Sequence, residues 1–486
     1  MKLLHQHSLI WRSFHKERKE PTFVCVVLYA SGCRSIRSAN GGKGKATDAS
    51  SARMESVAAS SVDDGMEAVE VYNNPTFGNL LRTSAEISER ILSYMNCRQL
   101  CVCAQVCSLW NTTAKRLNSK RSSVVHCFEP LKRKRKVCSR GEHSRDFSGN
   151  ATKSFIQSMT DAWSEPGRAL VFGTQYLYRY LSPPQKASPV NSHRVACWSE
   201  VTQRVASLLP PPCFLLLGTA GGVIGTNASG CPIELERGEG VSGMLLPARL
   251  PEGVRAQPFL VRRDHVSPEN RPSDWFATDM FKSLVGLPVG EEAVDVKCVL
   301  WFTVSDVAFG ENYQLMYDMV TDVVASCGMR RFALGGAVLE QMTVNNGLNG
   351  IDHSILCAGL CFSGDSVRAA SKIVAPSVKG AEAVERELTK FRLDTGFDGW
   401  DKSCTFGFMF ACVARGARHH GKTNVEADAF ARVFPGVPLM GVFGNGEIGV
   451  NYVPTDQQLL APVSRKENCF HGYTTVFVLL SWSKCR

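Results

Sequence analysis

Hydrophobic residues along this chain follow two regimes. Between residues 83 and 117 they recur every three or four positions, and beyond about residue 163 they gather in short, nearly uninterrupted runs. In the first regime Ile87, Ile91 and Tyr94/Met95 share one helical face, and Leu100, Cys103, Cys107 and Trp110 share another. Thr83 with Glu86 three residues on has the pattern of a capping box, in which two side chains satisfy free N–H groups at a helix start. Two helices are predicted, joined by a few residues around Asn96 and Arg98. So short a pair buries little surface by itself, which predicts a partner over its apolar stripe.

In the second regime, strand-like runs alternate with helical ones. "RALVFGTQYLY", "CFLLLGTAGG", "VSGMLLPARL", "QPFLVRR", "KCVLWFTVS", "RFALGGAV", "SILCAGLCFSG", "SCTFGFMFACVA", "PLMGVFG" and "YTTVFVLLSW" read as strands. Helices are predicted at "YQLMYDMVTDVVASCG", "GAEAVERELTKF" and "NVEADAFARVF", the last with Asn424 as N-cap and Glu426 and Asp428 in its first turn. Several strands are apolar on consecutive residues, so both faces are expected to be buried, as in layered α/β domains. "LLLGTAGGVIG" and "LMGVFGNGEIG", about 220 residues apart, echo each other, with "ALGGAV" a weaker third instance. Two related halves are the expectation.

The net charge of +10 changes less than it suggests. Residues 1–53 hold ten Lys/Arg against three Asp/Glu, or +7, which leaves the rest nearly neutral. That balance argues against a nucleic-acid partner. The basic start reads as a disordered extension, as a mitochondrial presequence, or as sequence upstream of a functional start at Met54. Nineteen cysteines, many inside apolar runs, behave as small hydrophobes and point to a reducing compartment. No apolar run approaches the roughly 18 residues of a membrane span. Residues 121–163, polar and basic, read as a linker. Within it Lys132, Arg133, Lys134, Arg135 and Lys136 fit a nuclear import signal or a solvated run.

Residues 444–449 spell G-x-G-x-x-G after a strand-like run. A dinucleotide loop would need a following helix to meet the pyrophosphate, whereas Pro454 and Pro462 follow here, and Glu447 would set a carboxylate against the phosphate. The dinucleotide reading fails. A turn that brings backbone close to a packed neighbour or to a small ligand remains, with Cys412, Gly441, Gly444, Asn445, Gly446 and Glu447 as the candidate cleft. Cys412 next to Arg415 could also be a nucleophile of lowered pKa, although its apolar strand favours packing. Cys101, Cys103 and Cys107 lack a zinc spacing, and His419, His420 and Glu426 sit in what reads as a solvated loop. No metal and no cofactor is expected.

The helical segment, with "RILSYM" and "AQVCSLW", resembles an F-box, although the customary Leu-Pro start is replaced by "TSAE". "TFGFMFACVARG", "KTNVEADAFARVFPGVPLMGVFGNGEIG" and "FHGYTTVFVLL" resemble the FIST family. The resemblance implies an α+β multidomain chain: an extension over 1–76, an all-α F-box over 77–120, the linker, and a layered α/β FIST domain in two halves, 164–320 and 321–486. It further implies a non-catalytic substrate receptor of a Skp–cullin–F-box ubiquitin ligase, cytoplasmic and nuclear, that promotes degradation of protein substrates. Ile87, Ile91, Leu92, Met95, Val106, Cys107 and Trp110 would meet the Skp adaptor, with cullin as scaffold and neither nucleic acid nor membrane as partner. The alternative is a FIST protein that senses a small ligand without recruiting a ligase.

Overall fold

The computed structural model describes residues 80–81, 83–131, 153–175, 196–266, 278–287, 289, 296–304, 314, 317–321, 332–345, 351–352, 354–454 and 468–483. The chain folds as two compact units that meet in sequence between Lys120 and Arg121.

Over residues 85–119 three helices stand where the periodicity predicts two: α1 (Ala85–Leu92), α2 (Cys97–Cys103) and α3 (Ser108–Ser119). The second predicted stripe is broken at Cys107, whose extended backbone (φ −160°) starts α3 afresh. Ser84, one residue later than expected, caps α1 by accepting from the Ile87 N–H. The capping box of this unit belongs to α2 instead, where Asn96 and Gln99 bond each other's backbone N–H at 2.9 and 3.0 Å. Leu81, Leu92, Met95, Leu100, Cys103, Trp110, Ala114 and Leu117 form the core.

The second unit is built from three six-stranded sheets, in the orders β1-β6-β2-β3-β10-β11, β7-β12-β8-β9-β16-β17 and β13-β18-β14-β15-β4-β5. The strands of the first are β1 (Val125–Leu131), β6 (Glu239–Pro247), β2 (Pro166–Thr174), β3 (Phe214–Ala220), β10 (Gln341–Asn345) and β11 (Ile351–Asp352). The second has β7 (Arg255–Arg262), β12 (Ile355–Ser363), β8 (Val296–Val304), β9 (Ala333–Leu339), β16 (Glu447–Gly449) and β17 (Phe470–His471). The third has β13 (Val367–Val374), β18 (Thr475–Trp482), β14 (Thr405–Cys412), β15 (Leu439–Gly444), β4 (Gly222–Thr226) and β5 (Pro232–Leu235).

The three sheets share one plan. Each has a parallel central pair (β2/β3, β8/β9 or β14/β15) with antiparallel pairs on both sides. Each is completed by a hairpin from another part of the chain: β10–β11 joins the first sheet, β16–β17 the second and β4–β5 the third. The exchange is cyclic and ties three repeats together. "GTAGGVIG", "GGAVLEQMTV" and "GNGEIG" are the same junction in three repeats, each the point where the chain leaves one sheet for the next. The expected boundary between residues 320 and 321 falls between β8 and β9, inside the middle repeat.

Consecutive apolar residues are needed because both faces of the third sheet are covered. Along β14, Phe406, Phe408 and Phe410 enter the core shared by the three sheets, while Met409 and Ala411 face α7 (Ala381–Asp394) and α9 (Val425–Val433). Phe172, Phe302 and Phe410 each stand two residues before the end of the first central strand. Their rings meet at 5.1 Å (Phe172–Phe302) and 5.6 Å (Phe302–Phe410), joining the sheets at one aromatic centre.

Part of the expected linker is folded. β1 is an edge strand paired along its length with β6, and residues 153–160 form α4 (Lys153–Thr160). The basic residues Lys132, Arg133, Lys134, Arg135 and Lys136, and the whole of residues 1–76, lie outside the described residues.

Cyclic exchange makes the second unit indivisible. A fragment of residues 321–486 would lack the β4–β5 hairpin that completes its own sheet and the β8 strand that flanks β9, the receiver of β16. We expect it to show no cooperative thermal transition by circular dichroism, in contrast to residues 121–486. A cooperative melt of the fragment would contradict the exchange.

Candidate functional site

The first unit separates its apolar residues into two sets. Leu92, Met95 and Trp110 are buried, Trp110 at 1% exposure, and the indole N–H donates to the Leu81 carbonyl at 2.9 Å. These three were expected at the adaptor contact; the structure spends them on the unit's own core. Ile87, Ile91, Val106 and Cys107 are half-buried and remain available at the surface. Tyr94 and Val102, which the periodicity did not single out as contacts, are exposed at 54% and 40%. Arg116 on α3 reaches Glu89 on α1 at 2.6 Å and holds the two helices in register.

In the second unit the glycine turn is a crossing between sheets. Asn445 donates its backbone N–H to Val338 O, and Val338 returns one to Gly446 O, both at 2.9 Å. The Asn445 side chain donates to Glu340 Oε1 at 2.9 Å. A Cβ on Gly441 would lie 1.7 Å from Met409 O, and one on Gly444 would lie 2.9 Å from the Ala337 Cβ. Glycine is required here for close approach of protein to protein. Cys412, Gly441, Gly444, Gly446 and Glu447 are all buried, so the six expected cleft residues come together as an inter-sheet joint.

Beside that joint lies a charged cluster in a segment that reads as a solvated loop. Glu426, in the first turn of α9, accepts from Arg415 Nη2 and, at 2.8 Å, from the Thr475 hydroxyl. Arg415 and Glu426 are 1% and 0% exposed. Gly380 N–H donates to His420 Nδ1, which leaves the proton on Nε2, 3.5 Å from Glu426 Oε1. Burial alone would raise the Glu426 pKa, but His420 and Arg415 outweigh it and hold the carboxyl below its ordinary value. Asn424, expected as the α9 N-cap, adopts a left-handed backbone (φ 62°) and gives its side chain to β5, accepting from Glu234 N–H. Glu234 takes over the cap by accepting from Ala427 N–H at 2.6 Å, and Glu236 does the same for Ala417 at 2.7 Å. The exchanged hairpin thus carries the acids that terminate helices of the sheet it enters.

Glu447, on the exchanged hairpin β16–β17, accepts from the Thr474 N–H and hydroxyl at 3.1 and 2.6 Å. Burial raises its pKa to about 7, partly offset by those bonds and by the Cys412 thiol. The Cys412 thiol is in turn pushed up, by burial first and then by Glu447. Arg415, expected to activate that thiol, is committed to Glu426. A protonated, buried thiol is a poor nucleophile, and the cysteine-enzyme reading loses its basis. Among the described residues no cluster of His, Cys, Asp and Glu could hold a metal, and no helix is long and apolar enough to cross a membrane. Glu234, Thr474 and Thr475 carried no sequence signal, because a short alternating strand does not reveal which helix its acids will meet.

Two family models match these units. Residues 85–122 match the F-box domain, and residues 313–450 match the FIST C domain. The chain carries both, which places it in the class of proteins that join an F-box to a FIST module. It is similar to "F-box only protein 22" of Homo sapiens, with 27% identity over 82% of this chain and 93% of the relative. The protein of that name from Pongo abelii matches at the same identity and coverage.

Trp110→Ala removes a side chain worth roughly 3–5 kcal/mol in a core, a large fraction of what so small a helical unit can hold. We expect loss of the helical unit's folding, seen as exchange-unprotected amides over residues 85–119. Retained protection would return Trp110 to the surface. For the second unit, Glu447 and Glu234, the latter raised by burial and by Glu426 to about 8, both have folded pKa values above their unfolded ones. Their contribution is present at low pH and lost as pH rises through about 7 to 8. The melting midpoint is expected to fall between about pH 5 and pH 8, less steeply in Glu447→Gln.

Proposed function

We propose that this chain is the substrate-recognition subunit of a Skp–cullin–F-box ubiquitin ligase. Its F-box docks on the Skp adaptor, and its FIST unit takes up protein substrates for ubiquitination and proteasomal degradation. The F-box match implies the adaptor; the observation that supports the docking mode is the division of apolar residues in the helical unit. A core sealed by Trp110 holds Ile87, Ile91, Tyr94, Val102, Val106 and Cys107 at or near the surface, where a small helical unit gains most by filling an apolar groove. Such a receptor performs no chemistry. It raises the effective concentration of a substrate lysine beside the charged conjugating enzyme. Action in both cytoplasm and nucleus is part of this reading.

Co-expression with the Skp adaptor and cullin, followed by size-exclusion chromatography, tests it. The wild-type chain is expected to co-elute. Val102→Asp places a charge on an exposed position outside the Trp110 core and should weaken adaptor binding at least tenfold while the helices stay folded. Separate elution of a folded wild-type chain would overturn the ligase reading and favour a ligand-sensing FIST protein.

A further inference from the structure

The three repeats close the same joint with different side chains. By register, the first central strand ends in Thr174, Val304 or Cys412. The antiparallel strand beside it supplies Gly240 and Val241, Leu356 and Cys357, or Thr474 and Thr475. The exchanged hairpin adds Val223, Met342 or Glu447, each paired with the residue two before the end of a second central strand. Two of the three joints close without a carboxylate, so the fold does not require one. The third buries Glu447 at 0% exposure and leaves its Oε1 without a hydrogen bond of ordinary geometry. A costly group at one of three equivalent positions, apolar in the other two, points to a use other than packing.

The turn that Glu447 holds is strained. Tyr473, 68% exposed, has a left-handed backbone (φ 63°), which a bulky residue keeps only where its surroundings enforce it. Glu447 ties down the next residue through the Thr474 N–H and hydroxyl. The Thr474 carbonyl accepts from the Cys412 N–H at 3.0 Å, and the Tyr473 carbonyl from Arg415 Nη1 at 3.5 Å.

Few charged groups face Glu447. β14 brings the Cys412 thiol, and the connection after it brings Arg415, which is committed to Glu426. β17 brings His471 directly across from Glu447, with Nε2 2.9 Å from the Gly449 carbonyl and a pKa lowered by burial. β9 and β18 bring only Ala337 and Thr474. The Thr474 bonds, Cys412 and Arg415 favour the charged carboxylate, but burial outweighs them. Opening the joint to water returns Glu447 to its ordinary acidity, so opening releases a proton and rising pH favours the open form.

We propose that the third joint is a proton-gated seam: loss of the Glu447 proton releases the strained turn at residues 472–474 and exposes the Cys412 thiol, while the second joint stays closed. The strain at Tyr473 acts in the same direction, because it is relieved on opening. His471 opposes the gate, since its burial favours opening at low pH.

The chain carries its own probes, Cys412 in the third joint and Cys357 in the second, the latter at 0% exposure. Pulses of dithiodipyridine on the full chain, with modified sites located by mass spectrometry, give each thiol's rate relative to the denatured chain at the same pH. Cys412 is expected to be at least tenfold less protected than Cys357 at about pH 7.5. Glu447 alone lowers Cys412 protection roughly twentyfold between about pH 5.5 and pH 7.5; with His471 opposing it, a fall of at least threefold is expected. Glu447→Gln should abolish that fall, and Tyr473→Gly, which relieves the backbone, should raise Cys412 protection at both pH values. Equal protection of the two thiols would make the opening global and overturn the seam. A fall that persists in Glu447→Gln, or no fall in the wild-type chain, would overturn the gate, and unchanged protection in Tyr473→Gly would remove the turn from it.

Discussion

The second unit depends on the cyclic exchange of hairpins among three sheets. A strand pair that leaves its own sheet must satisfy its backbone groups on another, so no repeat can complete its hydrogen bonding alone. The three sheets are bound into one cooperative body, and the aromatic centre of Phe172, Phe302 and Phe410 fills the space that their inner faces enclose. That centre is wholly apolar. Polar chemistry in this unit is displaced from the middle to the joints, where hairpins enter foreign sheets.

The joints explain why the buried charges are where they are. Glu234 arrives on β5 and Glu236 just beyond it, and both cap helices of the third repeat; Glu447 arrives on β16 and holds the start of β18. Burying carboxylates is costly, and the raised pKa values of Glu234 and Glu447 measure that cost. Glu426 escapes it because Arg415 compensates its charge and the His420 Nε2–H stands 3.5 Å from its Oε1. A hairpin inserted with the wrong register would leave these acids unbonded, so the cluster favours one exchange over its alternatives.

The two units differ along physical lines. The helical unit is small, sealed by one tryptophan, and leaves aliphatic side chains at its surface. The FIST unit is large, interlocked and almost without exposed apolar side chains among its described residues, except at a few points such as Tyr473 and Val413. In an indivisible scaffold a surface turn can be held in a strained conformation that a looser domain would relax.

All ten predicted strand runs exist, because a run such as "TFGFMFAC" is too apolar on consecutive residues to be anything but a strand covered on both sides. The helical unit and its resemblance to an F-box were equally legible from "RILSYM" and "AQVCSLW". The short exchanged strands β4, β10 and β16 were visible only as an echo of glycines, since three to five residues carry no periodicity of their own. Which of Ile91, Leu92 and Trp110 face outward was undecidable from spacing, because both stripes of a thin helical unit are apolar. The pattern of hydrophobic residues by itself determined the ten long strands, the helical character of the first unit and the order of the two units. Only the tertiary structure decided that the repeats number three, that their hairpins are exchanged, and that "GNGEIG" is a joint. Those facts depend on pairing between residues more than a hundred positions apart, as for Glu447 and Ala337, and local sequence holds no record of such pairing.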